Sequence, residues 1–210
     1  MRRFLASIAA AWSVIALTGA GQPAPPRLYQ AYSDQQKADL DRVSAYLNSV
    51  RTLKSGFVQI GPDGGVDQGE LYIEKPGHIR FEYHPPSPLL MVATGGAVYV
   101  KNAQLNTLDK YDLSDTPLGI LLNDKVDLKT NKAVLGVSEQ NGAIIVNART
   151  STNRNSSNIT LVFSTPGIEL RQWTVKDNQG SITTVALQNP QSGAALDPAL
   201  FTPPAKAASR

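Results

Sequence analysis

Between residues 57 and 188 the chain repeats one design: a short run in which apolar and polar residues alternate with period two, then a cluster of turn residues. Such a segment is committed to antiparallel strands, because alternate side chains of a strand lie on opposite faces and Pro, Gly, Asn and Asp punctuate it. The runs fall at 57–60, 70–74, 78–83, 89–93 and 97–101, with a further short one at 105–109. They are broken by Pro62-Asp63-Gly64-Gly65, Pro76-Gly77, Pro85-Pro86 and Gly95-Gly96. A second set runs over 133–139, 143–149, 158–164, 168–175 and 181–188, divided by Asn141-Gly142, Pro166-Gly167 and Gly180. About eleven strands make the chain mainly β, with one large antiparallel sheet curled toward a barrel or a sandwich.

Helical spacing occurs in three places. Ser33 and Asp34 offer N-cap oxygens to a segment whose apolar residues Leu40, Val43, Leu47 and Val50 recur at intervals of three and four. The spacing predicts an amphipathic helix that Gly56 ends, with Asp39, Asp41, Arg42 and Asn48 on its polar face. Its apolar stripe must cover another element, since a helix of this length is not stable alone. Between the two strand sets, Thr116 can cap a short helix, Pro117 suits its first position and Asn123-Asp124 stops it, leaving Leu118, Leu121 and Leu122 as an apolar face. A third helical turn is expected at 197–201, where Asp197 precedes Pro198.

The N-terminus reads as an export signal over residues 1–21: Arg2 and Arg3 lead into an apolar stretch, 4–17, followed by small residues. That stretch is shorter than the roughly 20 residues that span a bilayer, and cleavage is expected between Ala20 and Ala24. A flexible, Pro-rich linker at 22–32 then precedes a single domain at 33–204 and a polar tail at 205–210. The sequence has no cysteine, which excludes disulfides, thiolate metal sites and lipid attachment at the cleavage site. Without Arg2 and Arg3, 18 basic residues face 17 acidic ones, and no basic stripe marks a nucleic-acid binder.

Catalytic chemistry is sparse. His78 and His84 stand six residues apart on one expected strand, a start for a metal or hydrolytic site that still needs a third ligand or a nucleophile. Glu70 and Glu74 share a strand face, but one tryptophan outside the signal gives no aromatic sugar cleft, and solvent-facing charge is the simpler reading. No nucleophile elbow, phosphate loop or dinucleotide fingerprint occurs. In 69–83, by contrast, Ile79, Phe81 and Tyr83 share one face while Arg80 and Glu82 share the other, giving a sheet with one apolar and one wet side.

The order of these pieces resembles a known family. The helix at 40–53, Gly56-Phe57-Val58-Gln59, Gly69-Glu70-Leu71-Tyr72-Ile73, Lys75-Pro76-Gly77, Ile79-Arg80-Phe81-Glu82-Tyr83, Leu90-Met91-Val92 with Gly95, and Leu196-Asp197-Pro198-Ala199-Leu200-Phe201 are similar to the pattern of the LolA outer-membrane lipoprotein carriers. The resemblance implies an unclosed antiparallel β-barrel covered by a helical lid, with no cofactor and no covalent chemistry. It implies a monomeric periplasmic carrier that takes acylated lipoproteins from an inner-membrane lipoprotein-releasing transporter and yields them at the outer membrane, to a receptor where one is used. A periplasmic lipid-binding or lipoprotein-sensing module of the same fold is the alternative. Carried over by position, Phe57, Ile79, Phe81, Leu90 and Val92 are expected to line the cavity, and Leu118, Leu121 and Leu122 to form the lid. Lys75 stands where many relatives have an arginine tied to lid closure and release. Lysine keeps the charge but not the planar five-donor fork.

Overall fold

In the computed structural model, residues 31–150 and 157–205 are described; the expected export signal, most of the linker and most of the tail lie outside them. Helix α1 (Asp34–Ser49) is followed by β1 (Thr52–Ile60), β2 (Val66–Glu74), β3 (His78–Tyr83), β4 (Leu89–Thr94), β5 (Ala97–Asn102) and β6 (Thr107–Asp112). A 3-10 turn (Leu113–Asp115) and a short helix α2 (Gly119–Leu122) interrupt the meander. It resumes with β7 (Val134–Gln140), β8 (Ala143–Arg149), β9 (Asn158–Ser164), β10 (Leu170–Lys176) and β11 (Ile182–Ser192), and a 3-10 turn (Pro198–Phe201) closes the described chain. No described helix is long and apolar enough to cross a membrane.

All eleven strands join one antiparallel sheet in the order β6-β5-β4-β3-β2-β1-β11-β10-β9-β8-β7. Pairing of β1 with β11 brings the two halves of the meander together, Phe57 opposite Leu187 and Gln59 opposite Val185. The sheet is unclosed, with β6 and β7 as its edges. An open edge invites pairing with another chain. Side chains from α1 and its approach block this at β7, where Gln36 Nε2 donates to the Val137 carbonyl at 3.1 Å and the Tyr32 hydroxyl to the Val134 carbonyl at 3.4 Å.

Register assigns the faces. Leu71 lies opposite Ser55 and Phe81, and Phe81 opposite Met91, so these residues share the inner face. Val146, Leu161, Trp173 and Val185 continue that face across the other half. Leu40, Val43 and Leu47 of α1 pack on it in one contiguous core with Phe57, Leu71, Ile79 and Phe163. Burying those three helix side chains stabilises the docked helix by roughly 5–9 kcal/mol. Phe57 is fully buried, and its ring meets Phe81 and Tyr83 edge-on at centroid distances of 5.3 and 5.2 Å.

Gly69 makes room for that cluster. A Cβ there would run into the Glu82 carbonyl oxygen and lie 2.8 Å from a Phe57 ring carbon. Gly69→Ala is therefore expected to cost about 1–3 kcal/mol, as overpacking does, read as a lower melting temperature; an unchanged melt would contradict this packing.

Two expectations need correction, the end of the first helix and the start of the second. The first helix ends at Ser49, not at Gly56, because extended Val50 caps it and Leu53 and Gly56 already pair within β1. Ser33 is its N-cap: the hydroxyl accepts from the Gln36 backbone N–H while the Gln36 side chain accepts from the Ser33 N–H. Thr116 does not open α2; its hydroxyl donates to the Leu113 carbonyl and closes the preceding 3-10 turn. The C-terminal turn forms as expected, with the Asp197 carboxylate accepting from the Ala199 N–H.

Candidate functional site

The region of interest is the contact between the inner face of the sheet and its cover. Leu118, Ile120, Leu121 and Leu122 are all buried and join α1 in the core, so the three leucines expected in the lid are brought onto the sheet together. Phe57, Ile79 and Phe81 lie beneath this cover, on the inner face.

Leu90 and Val92 do not. Phe81 pairs with Met91, whereas Val92 pairs with Arg80 and Leu90 with Glu82, which puts both expected lining residues on the outer face. Val92 is nonetheless fully buried, because the C-terminal turn packs over β3 and β4: Arg80 donates to the Leu200 carbonyl at 3.2 Å, and Phe201 meets the His78 ring at 5.4 Å. The inner face of β4 is formed by Leu89, Met91 and Ala93 instead. Leu89, Met91 and Val100 are only partly buried and make an apolar margin to the core.

Polar ties hold the cover at its perimeter. Lys75, just past β2, is buried at 6 % exposure, and its ammonium donates to the Leu47 carbonyl at 2.7 Å. That carbonyl belongs to the last turn of α1, which carries no basic residue of its own. Lys75 therefore caps the helix from the sheet and puts a positive charge at the negative end of the helix dipole. Burial, and secondarily the nearby Arg51 guanidinium, lower its pKa from 10.5 to about 8, while Asp124 opposes the shift. Two residues on, Gly77 adopts φ +80°, the left-handed turn conformation that glycine accepts without strain, and its N–H donates to the Leu122 carbonyl at 2.9 Å. The Lys75-Pro76-Gly77 turn thus touches both covering helices.

The segment after α2 is fastened to α1 and to Arg51 just beyond it. Asn48 uses both ends of its amide, donating to the Val126 carbonyl at 2.9 Å and accepting from the Val126 N–H at 2.8 Å. Ser44 accepts from the Leu128 N–H at 3.0 Å, and exposed ion pairs join Arg51 to Asp124 and Lys129 to Asp41. Asn48→Ala deletes the two-way tie and leaves the Val126 groups unpaired, so about 1–3 kcal/mol of stability should be lost, with faster hydrogen exchange confined to 123–131. Uniform loss of protection across the sheet would contradict this local role.

The gap bounded by Leu47, Leu53, Ile73, Lys75, Leu121 and Leu170 measures about 20 Å³, room for one water. The two histidines do not converge: His78 begins β3 against Phe201, while His84 lies beyond its far end and is exposed. No group of three metal-ligating side chains occurs among the described residues.

The composition-level reading missed Asn48, Met91 and the burial of Lys75. A lysine before Pro-Gly looks solvated, and its one sequence hint is the lack of a basic residue at the end of α1. Asn48 falls on the polar face of the expected helix, and nothing in its spacing marks the tie to Val126.

Comparison with known proteins gives the fold a lineage. The family model described as outer membrane lipoprotein carrier protein LolA matches residues 48–204. An outer-membrane lipoprotein carrier protein of Methylococcus capsulatus is 27 % identical over 184 residues, covering 82 % of this chain and 88 % of its own. A protein of the same name from Dechloromonas aromatica is 29 % identical, over 80 % and 85 % of the two chains. A LolA superfamily crystal structure from Nitrosomonas europaea overlays 80 % of this chain and 97 % of its own, at a TM-score of 0.39 and 8 % identity. With its unclosed eleven-stranded sheet and a family match over three quarters of its length, the chain belongs to the LolA outer-membrane lipoprotein carrier family, a family of carriers rather than catalysts.

Proposed function

We propose that this protein is a periplasmic carrier that shields the acyl chains of lipoproteins between the inner face of its sheet and the α1–α2 cover. The observation that carries the reading is the construction of the cover: Leu40, Val43, Leu47, Leu118, Leu121 and Leu122 meet the core with apolar side chains, the buried polar Asp39 and Ser44 bond within the cover itself, and its polar ties to the sheet, Lys75 to Leu47 and Gly77 to Leu122 among them, lie at the edge. An acyl chain exposed to water costs about 0.8 kcal/mol per methylene, on the order of 10 kcal/mol for a long chain. That is enough to offset a few hydrogen bonds of about 1 kcal/mol each. A gap of about 20 Å³ holds no acyl chain, so cargo enters by parting cover from sheet, and the cover returns when cargo leaves. The export-like N-terminus and the names of the relatives support a route from an inner-membrane lipoprotein-releasing transporter toward the outer membrane, with 33–204 as the carrier domain.

Trp173 supplies a test. It is buried at 2 % exposure beside Phe81, with ring centroids 6.1 Å apart, and Trp12 of the expected signal is the only other tryptophan. A lipopeptide with brominated acyl chains should quench Trp173 fluorescence in the processed protein at one-to-one stoichiometry, whereas the unacylated peptide should not. Full fluorescence at saturating, soluble lipopeptide would overturn the proposal.

A further inference from the structure

The two edges of the sheet are built differently. β7 is bulged between Val134 and Gly136 and is capped by Gln36 and Tyr32. β6 pairs with β5 without a bulge, contains no proline and is exposed at every residue but Leu108. The Lys110 side chain leaves this edge clear, its ammonium lying back over the Tyr99 ring of β5, 5.6 Å from the centroid. The ladder fixes which backbone groups point outward. The Leu113 N–H donates to the Gly96 carbonyl at 2.9 Å, and bonded pairs recur at every second residue of the same register, Tyr111 with Val98 and Asp109 with Val100. The N–H and C=O groups of Leu108 and Lys110 therefore point away from β5, and they have no hydrogen-bond partner among the described residues.

The inner face opens toward the same edge. Ile79, Ala93, Val98 and Tyr111 stand side by side from β3 to β6; the first three are buried, and Tyr111 is 55 % exposed. In the next row Phe81 is buried, Met91 and Val100 are partly buried and Asp109 is exposed. Apolar surface thus runs from the core to a strand whose outward backbone groups are unpaired. An occupant that uses both must combine hydrocarbon with a free, extended backbone, and the acylated end of a lipoprotein combines them in one molecule. We propose that β6 takes up, as an added strand, the peptide that follows the acylated residue of a lipoprotein, pairing it with Leu108 and Lys110 while the acyl chains pass over Val100 and Met91 to lie beneath the cover. Neighbouring strands stand about 4.8 Å apart, so a peptide there lies roughly 10 Å from β5 and its Val100. Pairing of this kind engages main chain rather than side chains, so one edge serves cargo of unrelated sequence. The proposal rests on the reading that the interior accepts acyl chains.

Two lipopeptides with the same brominated acyl chains and the same short peptide, one of them N-methylated at every backbone amide after the acylated residue, separate the edge from the interior by quenching of Trp173. Wild-type protein should bind the unmethylated probe about tenfold more tightly, the net effect of one or two backbone hydrogen bonds. Lys110→Pro removes an outward N–H that β5 does not use, a position on an edge strand that proline tolerates. It should weaken the unmethylated probe to the level of the methylated one and leave the methylated one unchanged. Equal binding of the two probes by the wild type, or an equal loss of both in Lys110→Pro, would overturn the edge site while leaving the acyl-binding reading standing. A dimer of the empty protein in sedimentation that Lys110→Pro abolishes, with both probes bound alike, would overturn it in favour of a second copy at this edge. Quenching by neither probe would overturn both readings.

Discussion

Phe57→Ala should lose about 3–5 kcal/mol of stability, the range for emptying a large aromatic site in a core. The ring is wholly buried, touches Phe81 and Tyr83 edge-on, and packs against the Cβ-free surface of Gly69. At about 2–4 °C per kcal/mol for a domain of this size, the melting temperature should fall by roughly 6–20 °C. Leu90→Ala is the matched control. Leu90 faces outward opposite Glu82 and is half-buried, so its loss should cost about 1 kcal/mol or less. Equal costs for the two would mean that the register of β3 and β4, and with it the identity of the inner face, is wrong.

The second large effect is alkaline stabilisation through Lys75. Its ammonium titrates near pH 8 in the folded protein, against 10.5 when unperturbed. Below pH 8 both folded and unfolded chains hold the proton, so this group gives no pH dependence. Above pH 8 the folded protein releases it first, the unfolded chain binds more protons, and stability rises with pH. At 1.36 kcal/mol per unit, the gain between pH 8 and 10 is about 2–3 kcal/mol. Beyond pH 10 the Tyr83 hydroxyl, pushed up to about 12 chiefly by burial, acts in the opposite sense, because the unfolded chain ionises that phenol first. Denaturant melts at pH 8, 9 and 10 should therefore show rising stability in the wild type and no such rise in Lys75→Met. A wild-type curve that is flat or falls across this window would place Lys75 in water rather than under α1.

Much of this was legible because alternation and turn chemistry agree. The strand at 78–83 is found where Ile79, Phe81 and Tyr83 alternate with Arg80 and Glu82, and ten others overlap their expected runs within a few residues. Parity failed in β4. Leu89, Leu90, Met91, Val92 and Ala93 are all apolar, so nothing in the run says which residues face inward, and a one-residue choice inverts the whole strand. The outer residues are apolar because the C-terminal turn covers them, a contact between segments a hundred residues apart that no local pattern encodes. The end of α1 was misplaced for a related reason: Val50 and Leu53 continue the helical spacing although their side chains serve a cap and a strand. The burial of Lys75 was beyond local reasoning, since the helix that covers it ends more than twenty residues earlier in the chain.

In the cell, the sheet and its cover should enclose acylated protein rather than an empty core. Native mass spectrometry of the processed protein, purified from periplasm without detergent, tests it most directly. The expected result is a one-to-one complex with lipoprotein whose dissociation releases an acylated N-terminus. A protein that is uniformly empty, and that also fails to take up acylated cargo when offered it, would contradict it.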